Sequence, residues 1–561
     1  MNIISERQIS KKIDVSVLIS TFNKEKYIEN TLDSLLKQSL SLEKFEVILV
    51  DDCSTDNTLN LVQSKIEEFS NFKLVQLDSN SGTPAKPRNT AIDLSIGKYT
   101  IFIDGDDWLP INSLESLSSL LSNNKTDYST GLTEYVYDNK TGRAGVVFSK
   151  FSTNKLNIKN IKKSFYHLAP AGRMIRSSII KKNKIRFPEM IFGEDLQFFA
   201  EVLLNIKQIS TTTDVVYYAN RYSENKSLVK SEDSTLANRL TWQMDAYSHL
   251  LKKYKGNINF KHVLYRFINK DIIENKFFQN RFLNNMDLIL PALQNAIKVI
   301  EADFNPEDFI DNEIYKYALK LIKNGNKDKM VEFINWNFNK DESNVIIKND
   351  IAYYEYNDKL FKKQLHVTLK SLSSDNGAVN LGLFSPNSKI SFLEVKNRKF
   401  PSEYVTEDIK KVAFKKDEYN VRFDYKKLHG GKIALTVFDE DYNATSIRSE
   451  FEFGFYETVN KNLGFLTKDP NSFNLYKSRK TRNKPFARAI INSPNNKTVE
   501  AMRWSGDADG NPTFKNPLNE SVSHEDIVYI YGTTSSGWGR INSPTYKGWI
   551  NLEYVKITHV Y

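Results

Sequence analysis

The first hundred residues hold four short apolar runs, each ending in polar or acidic residues and each followed by a stretch of helical character. Val15–Ile19 is interrupted only by Ser16 and runs into Ser20-Thr21-Phe22-Asn23. Ile28, Leu32, Leu35 and Leu36 then recur at helical intervals. Phe45–Val50 ends at Asp51-Asp52, and Ser54-Thr55-Asp56 caps a helix through Leu59, Leu61, Val62 and Ile66. Phe72–Leu77 follows, then a loop over Gly82–Arg88 and a short helix from Asn89 to Leu94. Tyr99–Ile103 ends at Asp104-Gly105-Asp106-Asp107. A near-continuous apolar run is what a central parallel strand needs, because helices cover both its faces. Strands alternating with helices predict an α/β domain with a Rossmann-like sheet. In such sheets ligands sit beyond the carboxyl ends of the strands. The polar residues Asp51, Asp52, Asn80, Ser81, Asp104 and Asp106 all fall there, so the ligand site is expected at that edge.

The chain is far longer than this domain. Its 561 residues predict about three to five domains. Hydrophobic residues at 40% and charged residues at 26% exclude a wholly disordered chain. Cys53 is the single cysteine, which excludes an intrachain disulfide and a thiolate metal cage. Lys plus Arg number 78 against 68 for Asp plus Glu, a formal charge of +10 that favours an anionic partner without choosing one. The first residues carry charges where a signal peptide needs an apolar stretch. No run approaches the ~20 apolar residues of a membrane span. The expectation is a cytoplasmic protein, able to rest on the inner face of the cell membrane.

The strand ends suggest specific chemistry. Asp104 and Asp106, one residue apart at a strand terminus, can hold Mn²⁺ or Mg²⁺ between carboxylate oxygens and a pair of phosphates. An isolated pair of this kind is ordinarily a solvated acidic turn. Here it shares an edge with Asp51-Asp52 and with the stiff, basic loop Gly82-Thr83-Pro84-Ala85-Lys86-Pro87-Arg88. Glu194-Asp195 opens an apolar helix, where it either complements the helix dipole or serves as a general base. Arg221 to Ser227 follows the aromatic strand Val215–Ala219 and could return basic and polar groups to a diphosphate.

In order, VLISTFNKEKYI, VILVDDCSTDNT, NSGTPAKPRNTAI, FIDGDDW and FGEDLQFF resemble a family 2 glycosyltransferase of the GT-A fold over roughly residues 13–230. NSGTPAKPRN and FPEMIFGEDLQFF look more narrowly like the wall teichoic acid β-N-acetylglucosaminyltransferases of the TarS and TarP type. The resemblance implies inverting transfer of N-acetylglucosamine from UDP-N-acetylglucosamine to poly(ribitol phosphate). It implies that Ser20, Phe22, Asp51 and Asn80 hold uridine, and that Lys86 and Arg88 line the nucleotide pocket. It further implies that Asp104 touches ribose or metal, Asp106 carries the cation, and Arg221 and Ser227 meet diphosphate and sugar. Asp195 would be the base, with Glu194 ordering it or the sugar. Relatives carry a His in the loop where Asn225 stands here, and in this chain only Arg266 corresponds to the arginines with which they grip polymer.

Residues 235–342 show helical periodicity and residues 343–462 short alternating strands of a β-sandwich, leaving 1–234 as the catalytic domain, while Gly537-Trp538-Gly539-Arg540 and Gly548-Trp549-Ile550-Asn551 make residues 463–561 resemble a bacterial SH3-like barrel. Turns such as His429-Gly430-Gly431 separate the strands. The last segment carries a basic run from Lys477 to Arg488 and the rings Trp538, Tyr546 and Trp549. The expected partners are a UDP-sugar and an anionic teichoic acid, not nucleic acid, with self-association through the C-terminal modules. Two alternatives stay open: transfer from UDP-glucose or another UDP-hexose to poly(glycerol phosphate), capsule or other polysaccharide, and an inactive wall-polymer-binding protein.

Overall fold

The computed structural model describes residues 2–340 except 11, 140, 145–148, 150–151 and 226–235. Beyond residue 344 it omits 350, 376–377, 398–403, 414, 425–432, 448–451, 458–462, 469–486, 492–498, 503–516, 523–526, 534–537, 543–546 and 561. Ser227, the turn His429–Gly431, the basic residues from Lys477 to Lys484, Tyr546, and the side chains of Arg488, Trp538 and Trp549 therefore lie outside the described residues. The chain forms two compact units, Met1–Asp341 and Glu342–Tyr561.

The first unit is built on the expected alternation. Its elements begin with β1 (Asn2–Gln8), β2 (Val15–Thr21), α1 (Ile28–Leu36), β3 (Phe45–Asp51), α2 (Thr58–Lys65) and β4 (Asn71–Gln76). They continue with α3 (Ala85–Leu94), β5 (Tyr99–Asp104), α4 (Ser113–Asn124), β6 (Tyr128–Val136), β7 (Thr141–Ala144) and β8 (Thr153–Asn157). Then come β9 (Arg173–Arg176), α5 (Ser177–Lys182), α6 (Glu194–Leu204) and β10 (Gln208–Asn220). The sheet order is β1-β4-β3-β2-β5-β9-β6-β10-β8, with β7 beside β6. β2 is parallel to both β3 and β5. The chain thus works outward from β2 on one side through β3 and β4, then returns to β2's other flank with β5. That reversal is where a doubly wound sheet opens a crevice. β5 and β6 flank the antiparallel β9, so the sheet is mixed.

β2 and β3 are buried along their whole length, as their apolar runs require. α3 starts at Ala85, earlier than the loop reading placed it, so Lys86 and Arg88 ride on a helix. Pro84 is its N-cap and Pro87 lies in its first turn, where a missing N–H costs nothing. Phe102 of β5, Phe187 and Phe198 of α6 form an edge-to-face and stacked cluster, with centroids 3.8–5.4 Å apart. This cluster fixes where α6 begins relative to β5, and accounts for part of the aromatic content.

Helices α7 (Leu236–Tyr254) and α8 (Phe260–Arg266), π-helical turns over Phe267–Phe277, then α9 (Asn280–Asn284), α10 (Met286–Glu301), α11 (Glu313–Asn324) and α12 (Lys327–Asn339) complete the unit. α6 and α7 are joined by Glu201, which is 2% exposed. Its carboxylate accepts from Lys253 Nζ at 2.6 Å, Tyr254 Oη at 3.0 Å and meets His249 Nε2 at 3.0 Å.

Among the described residues the second unit consists of strands in eleven-, six- and three-stranded sheets, with a 3-10 turn at Leu552–Tyr554. Leu381, Val421, Val528, Ile530 and Val555 share one apolar core, and Val555–Val560 pairs with Thr368–Asp375 at Leu372. Strands from the 343–462 and 463–561 stretches thus lie in one sheet.

Candidate active site

The crevice at the ends of β2 and β5 is a cavity of about 1430 Å³. Ser20, Phe22, Asn80, Arg88, Asp104, Asp106, Glu194, Asp195 and Arg221 all line it. Phe22 is 39% exposed, a large ring left open at the rim. Two candidates lie elsewhere. Asp51 is fully buried below the cavity, where its carboxylate accepts from the Ser54 N–H at 2.8 Å and from the Ser54 hydroxyl. Burial pushes its pKa up, and these hydrogen bonds oppose the shift. Asp52, not Asp51, reaches the wall, and accepts from the Ser81 N–H and hydroxyl, both at 2.9 Å. Lys86 is exposed on α3 and outside the lining.

The strand ends are pressed together by a glycine. Gly105 donates its N–H to the Ser20 carbonyl at 3.0 Å. A Cβ there would lie 2.6 Å from Thr21 Oγ1 and 2.8 Å from Thr21 Cβ. Only glycine lets the two aspartates follow β5 so close to β2. Gly105→Ala should cost about 1–3 kcal/mol, the range for overpacking, which urea denaturation measures.

Arg88 stands at the centre. Its side chain is 4% exposed and reaches three carboxylates: Asp104 Oδ1 at 2.8 Å, Asp195 Oδ1 at 2.8 Å and Glu194 Oε1 at 3.3 Å. Its guanidinium also lies 5.1 Å over the Phe187 ring. Burial works against that charge, but Asp195, Asp104 and Glu194 outweigh it and raise the guanidinium pKa. Asp195 and Glu194 open α6 behind Gly193, whose φ of +97° suits glycine. Removal from water and then the neighbouring Glu194 charge push Asp195 well above the ordinary carboxylate range, while Arg88 pulls it back. Asp195 still keeps 28% of its side-chain surface. This is a carboxylate open to a ligand and biased toward a proton.

The second aspartate is held differently. Asp106 Oδ2 accepts from Lys24 Nζ at 2.7 Å and from Asn225 Nδ2 at 2.7 Å. Asp107, next along, is 5% exposed and accepts from the Tyr217 hydroxyl and the Asn220 N–H, both at 2.7 Å. Burial first, then Asp106 and Asp104, hold its carboxyl well above the usual range. With the Trp108–Tyr218 bridge, Asp107 ties the end of β10 to the D-G-D-D-W segment and so brings Asn225 to Asp106. Lys24, Asp107 and Tyr217 were not singled out from sequence. Lys24 offered a signal, as a basic residue four positions after Ser20 at a strand end.

Among the described residues no group of three or more His, Cys, Asp or Glu side chains could hold a metal ion. The residues present nevertheless fit a cation that comes with a diphosphate. Such ions take one or two carboxylates and complete their shell from phosphate and water. Asp106 Oδ2 already carries a positive group, the Lys24 ammonium.

The far wall contains Tyr166, His167, Arg266 and Lys270. Arg266 turns inward: Nε pairs with Asp271 at 3.0 Å, and Nη1 donates to the Phe165 and Tyr166 carbonyls at 2.8 and 2.7 Å. It braces the wall with groups that are already partnered. Lys270 is pushed down to about 8, by burial first and by Arg266 second. Arg221 donates to the Asn220 carbonyl at 2.7 Å and lies 4.7 Å over Tyr135.

Residues 16–183 match the family model described as glycosyl transferase family 2. The poly(ribitol-phosphate) beta-N-acetylglucosaminyltransferase TarP of Staphylococcus aureus is 35% identical over 226 residues, which span 38% of this chain and 67% of TarP. TarS of S. aureus, named for the same activity, is 35% identical over 204 residues, 36% of this chain and 35% of its own length. A poly(ribitol-phosphate) beta-glucosyltransferase of Bacillus spizizenii is 31% identical over 205 residues, 36% of this chain and 32% of its own. The match therefore spans about a third of the length of TarS and of the glucosyltransferase. The crystal structure of S. aureus TarS 1-349 with UDP-GlcNAc superposes with a TM-score of 0.51 at 24% identity, over 63% of this chain and 99% of that one. The S. aureus TarS structure covering 96% of its chain superposes over 98% of this one, with a TM-score of 0.52 at 19% identity. The fold is shared, its first unit being GT-A, and by the extent and identity of the TarP match this chain belongs to glycosyltransferase family 2.

Proposed function

We propose that the chain transfers N-acetylglucosamine from UDP-N-acetylglucosamine to poly(ribitol phosphate), in β linkage and with inversion. The observation that carries the reading is the Asp104–Arg88–Asp195 chain. It joins a strand-end aspartate, where a nucleotide diphosphate would sit, to a carboxylate suited to general-base work. Asp195 accepts the proton of the acceptor hydroxyl while that oxygen bonds to C1 and the C1–O bond to UDP breaks. One displacement needs one base and no covalent nucleophile. Phe22 offers its face to the uracil ring, and Asn80 and Ser20 line the same side. A divalent cation bound with the donor would offset charge on the departing diphosphate, held by Asp106 with Asp104 beside it. Asp51 acts below the pocket by fixing the Ser54 turn, and Lys86 adds positive potential from outside it. Arg221 is placed for the diphosphate, with Ser227 further along the same loop.

The +10 charge suits a polyanionic acceptor. Among the described residues no helix is long and apolar enough to cross a membrane. Action at the cytoplasmic face, with peripheral contact and self-association through the second unit, fits this picture. On this reading residues 1–234 are the donor domain and 235–342 the acceptor-side helices.

The glucosyltransferase relative makes UDP-glucose the competing donor. A panel of UDP-sugars, with and without poly(ribitol phosphate) or poly(glycerol phosphate), separates the readings by UDP release. The expected result is release from UDP-N-acetylglucosamine stimulated by poly(ribitol phosphate). Release stimulated by neither polymer sinks the acceptor assignment, and stimulated release from UDP-glucose alone replaces the donor.

A further inference from the structure

The D-G-D-D segment packs Asp104, Asp106 and Asp107 into four residues. Each carboxylate is accounted for differently. Asp107 is buried under the Tyr217 hydroxyl and the Asn220 N–H, and Asp104 has Arg88. Asp106 has Lys24, in a setting largely closed to water, with side-chain exposures of 20% for Lys24 and 14% for Asp106. The Lys24 ammonium touches Asp106 Oδ2 at 2.7 Å and Asn225 Oδ1 at 3.0 Å. It thus sits between two oxygens, as a small cation would.

This arrangement is built rather than incidental. Asn23 adopts a φ of +51°, which turns the chain out of β2. The Lys24 N–H then donates to Thr58 Oγ1 at 2.8 Å, which pins the backbone. From that fixed point the side chain crosses to the end of β5. Asn225 closes the triangle, since its Nδ2 also donates to Asp106 Oδ2 at 2.7 Å.

The geometry points to Lys24 as the resident counter-ion of Asp106, which a divalent cation must displace to reach that carboxylate oxygen. The inference rests on the donor-site reading above. A metal bonded to Asp106 Oδ2 at about 2.1 Å, with the ammonium still at its present contact, would put two positive charges at most about 5 Å apart. Their repulsion in a partly desolvated site is comparable to the attraction the ammonium feels for the carboxylate, and smaller than the attraction of a divalent ion for it, so it is the ammonium that yields. The two therefore exchange rather than coexist. The flexible four-carbon stem of lysine lets the ammonium leave without moving the backbone. Metal affinity is accordingly suppressed until a diphosphate supplies extra oxygens, so the donor and the cation enter together.

The test is Mn²⁺ binding without nucleotide, followed by the electron paramagnetic resonance of free Mn²⁺. Lys24→Met should bind Mn²⁺ about tenfold more tightly than wild type, the effect of removing one competing charge. Lys24→Arg keeps the charge and should stay within about twofold of wild type. Asn225→Ala removes one oxygen from the ammonium's cradle and should shift affinity the same way by a smaller factor, which carries the test if Lys24→Met does not fold. Unchanged or weaker Mn²⁺ binding in Lys24→Met, an equal gain in Lys24→Arg, or no Mn²⁺ binding by any variant overturns the inference. UDP affinity and UDP-sugar turnover of the wild type are measured alongside. Their loss strikes the proposed function, whereas intact turnover with unshifted Mn²⁺ affinity strikes Lys24 alone.

Discussion

Asp195→Asn should lower sugar transfer by about 10²–10⁴-fold, the contribution of a positioned general base, while UDP binding by calorimetry stays close to wild type. The substitution keeps the shape of the side chain and its place at the head of α6, but removes the proton acceptor. Wild-type rates should also fall with acid, because only the ionised carboxylate works. Withdrawal from water and the Glu194 charge raise the Asp195 pKa, so this acid limb should lie above the ordinary carboxylate range. Arg88 opposes the rise, and weakening that contact should move the limb further up. Transfer by Asp195→Asn at near wild-type rate, or a flat profile down to acid pH, removes Asp195 from the role of base.

The second large effect is expected at Arg88. Arg88→Met should destabilise the first unit by about 1–3 kcal/mol, because it strips the counter-charge from the buried Glu194 and from the partly exposed Asp195 and Asp104. It should also abolish transfer, since Asp104 and Asp195 lose the group that holds both. Arg88→Lys should recover little. A single ammonium cannot span Asp104 on one side and Asp195 with Glu194 on the other, as the two terminal nitrogens of a guanidinium do. Urea denaturation measures the first effect and UDP release the second. A stable, inactive Arg88→Met would confine the residue to catalysis, and a stable, active one would remove it from the site's architecture.

The strands that carry the site were legible because their apolar runs are continuous and stop at acids. β3, β4 and β5 match the expected runs to within one residue at each end, and β2 runs two residues beyond its expected end. β1 was not legible: Asn2–Gln8 has two adjacent isoleucines, Ile3 and Ile4, both exposed, and otherwise only polar or charged residues, so it shows no strand periodicity, and only pairing with β4 marks it as a strand. The start of α3 was masked by two prolines that ordinarily announce a loop. Within the site, residue types at strand ends were readable, but partnerships were not. Arg88 meets Glu194 and Asp195 across more than a hundred residues, and Lys24 meets Asp106 across 82. Such contacts depend on sheet order, which no local spacing encodes. The same limit applied to Asp51 and Asp52. The two are adjacent in a strand end and both are buried, but Asp51 turns to Ser54 while Asp52 turns to Ser81 at the cavity wall.

Glu201 bears on how this enzyme could be divided. Its carboxylate belongs to α6, yet three of the groups that satisfy it, His249, Lys253 and Tyr254, stand on α7. Trp242 and Gln243 of the same helix also form part of the cavity wall. A fragment cut before α7 would open to water the face of α6 that α7 covers and would strip Glu201 of these three partners. Swapping helices between relatives therefore means carrying α6 and α7 as one inheritable piece, with Asp195 at one end of α6 and the Glu201 anchor about two turns along.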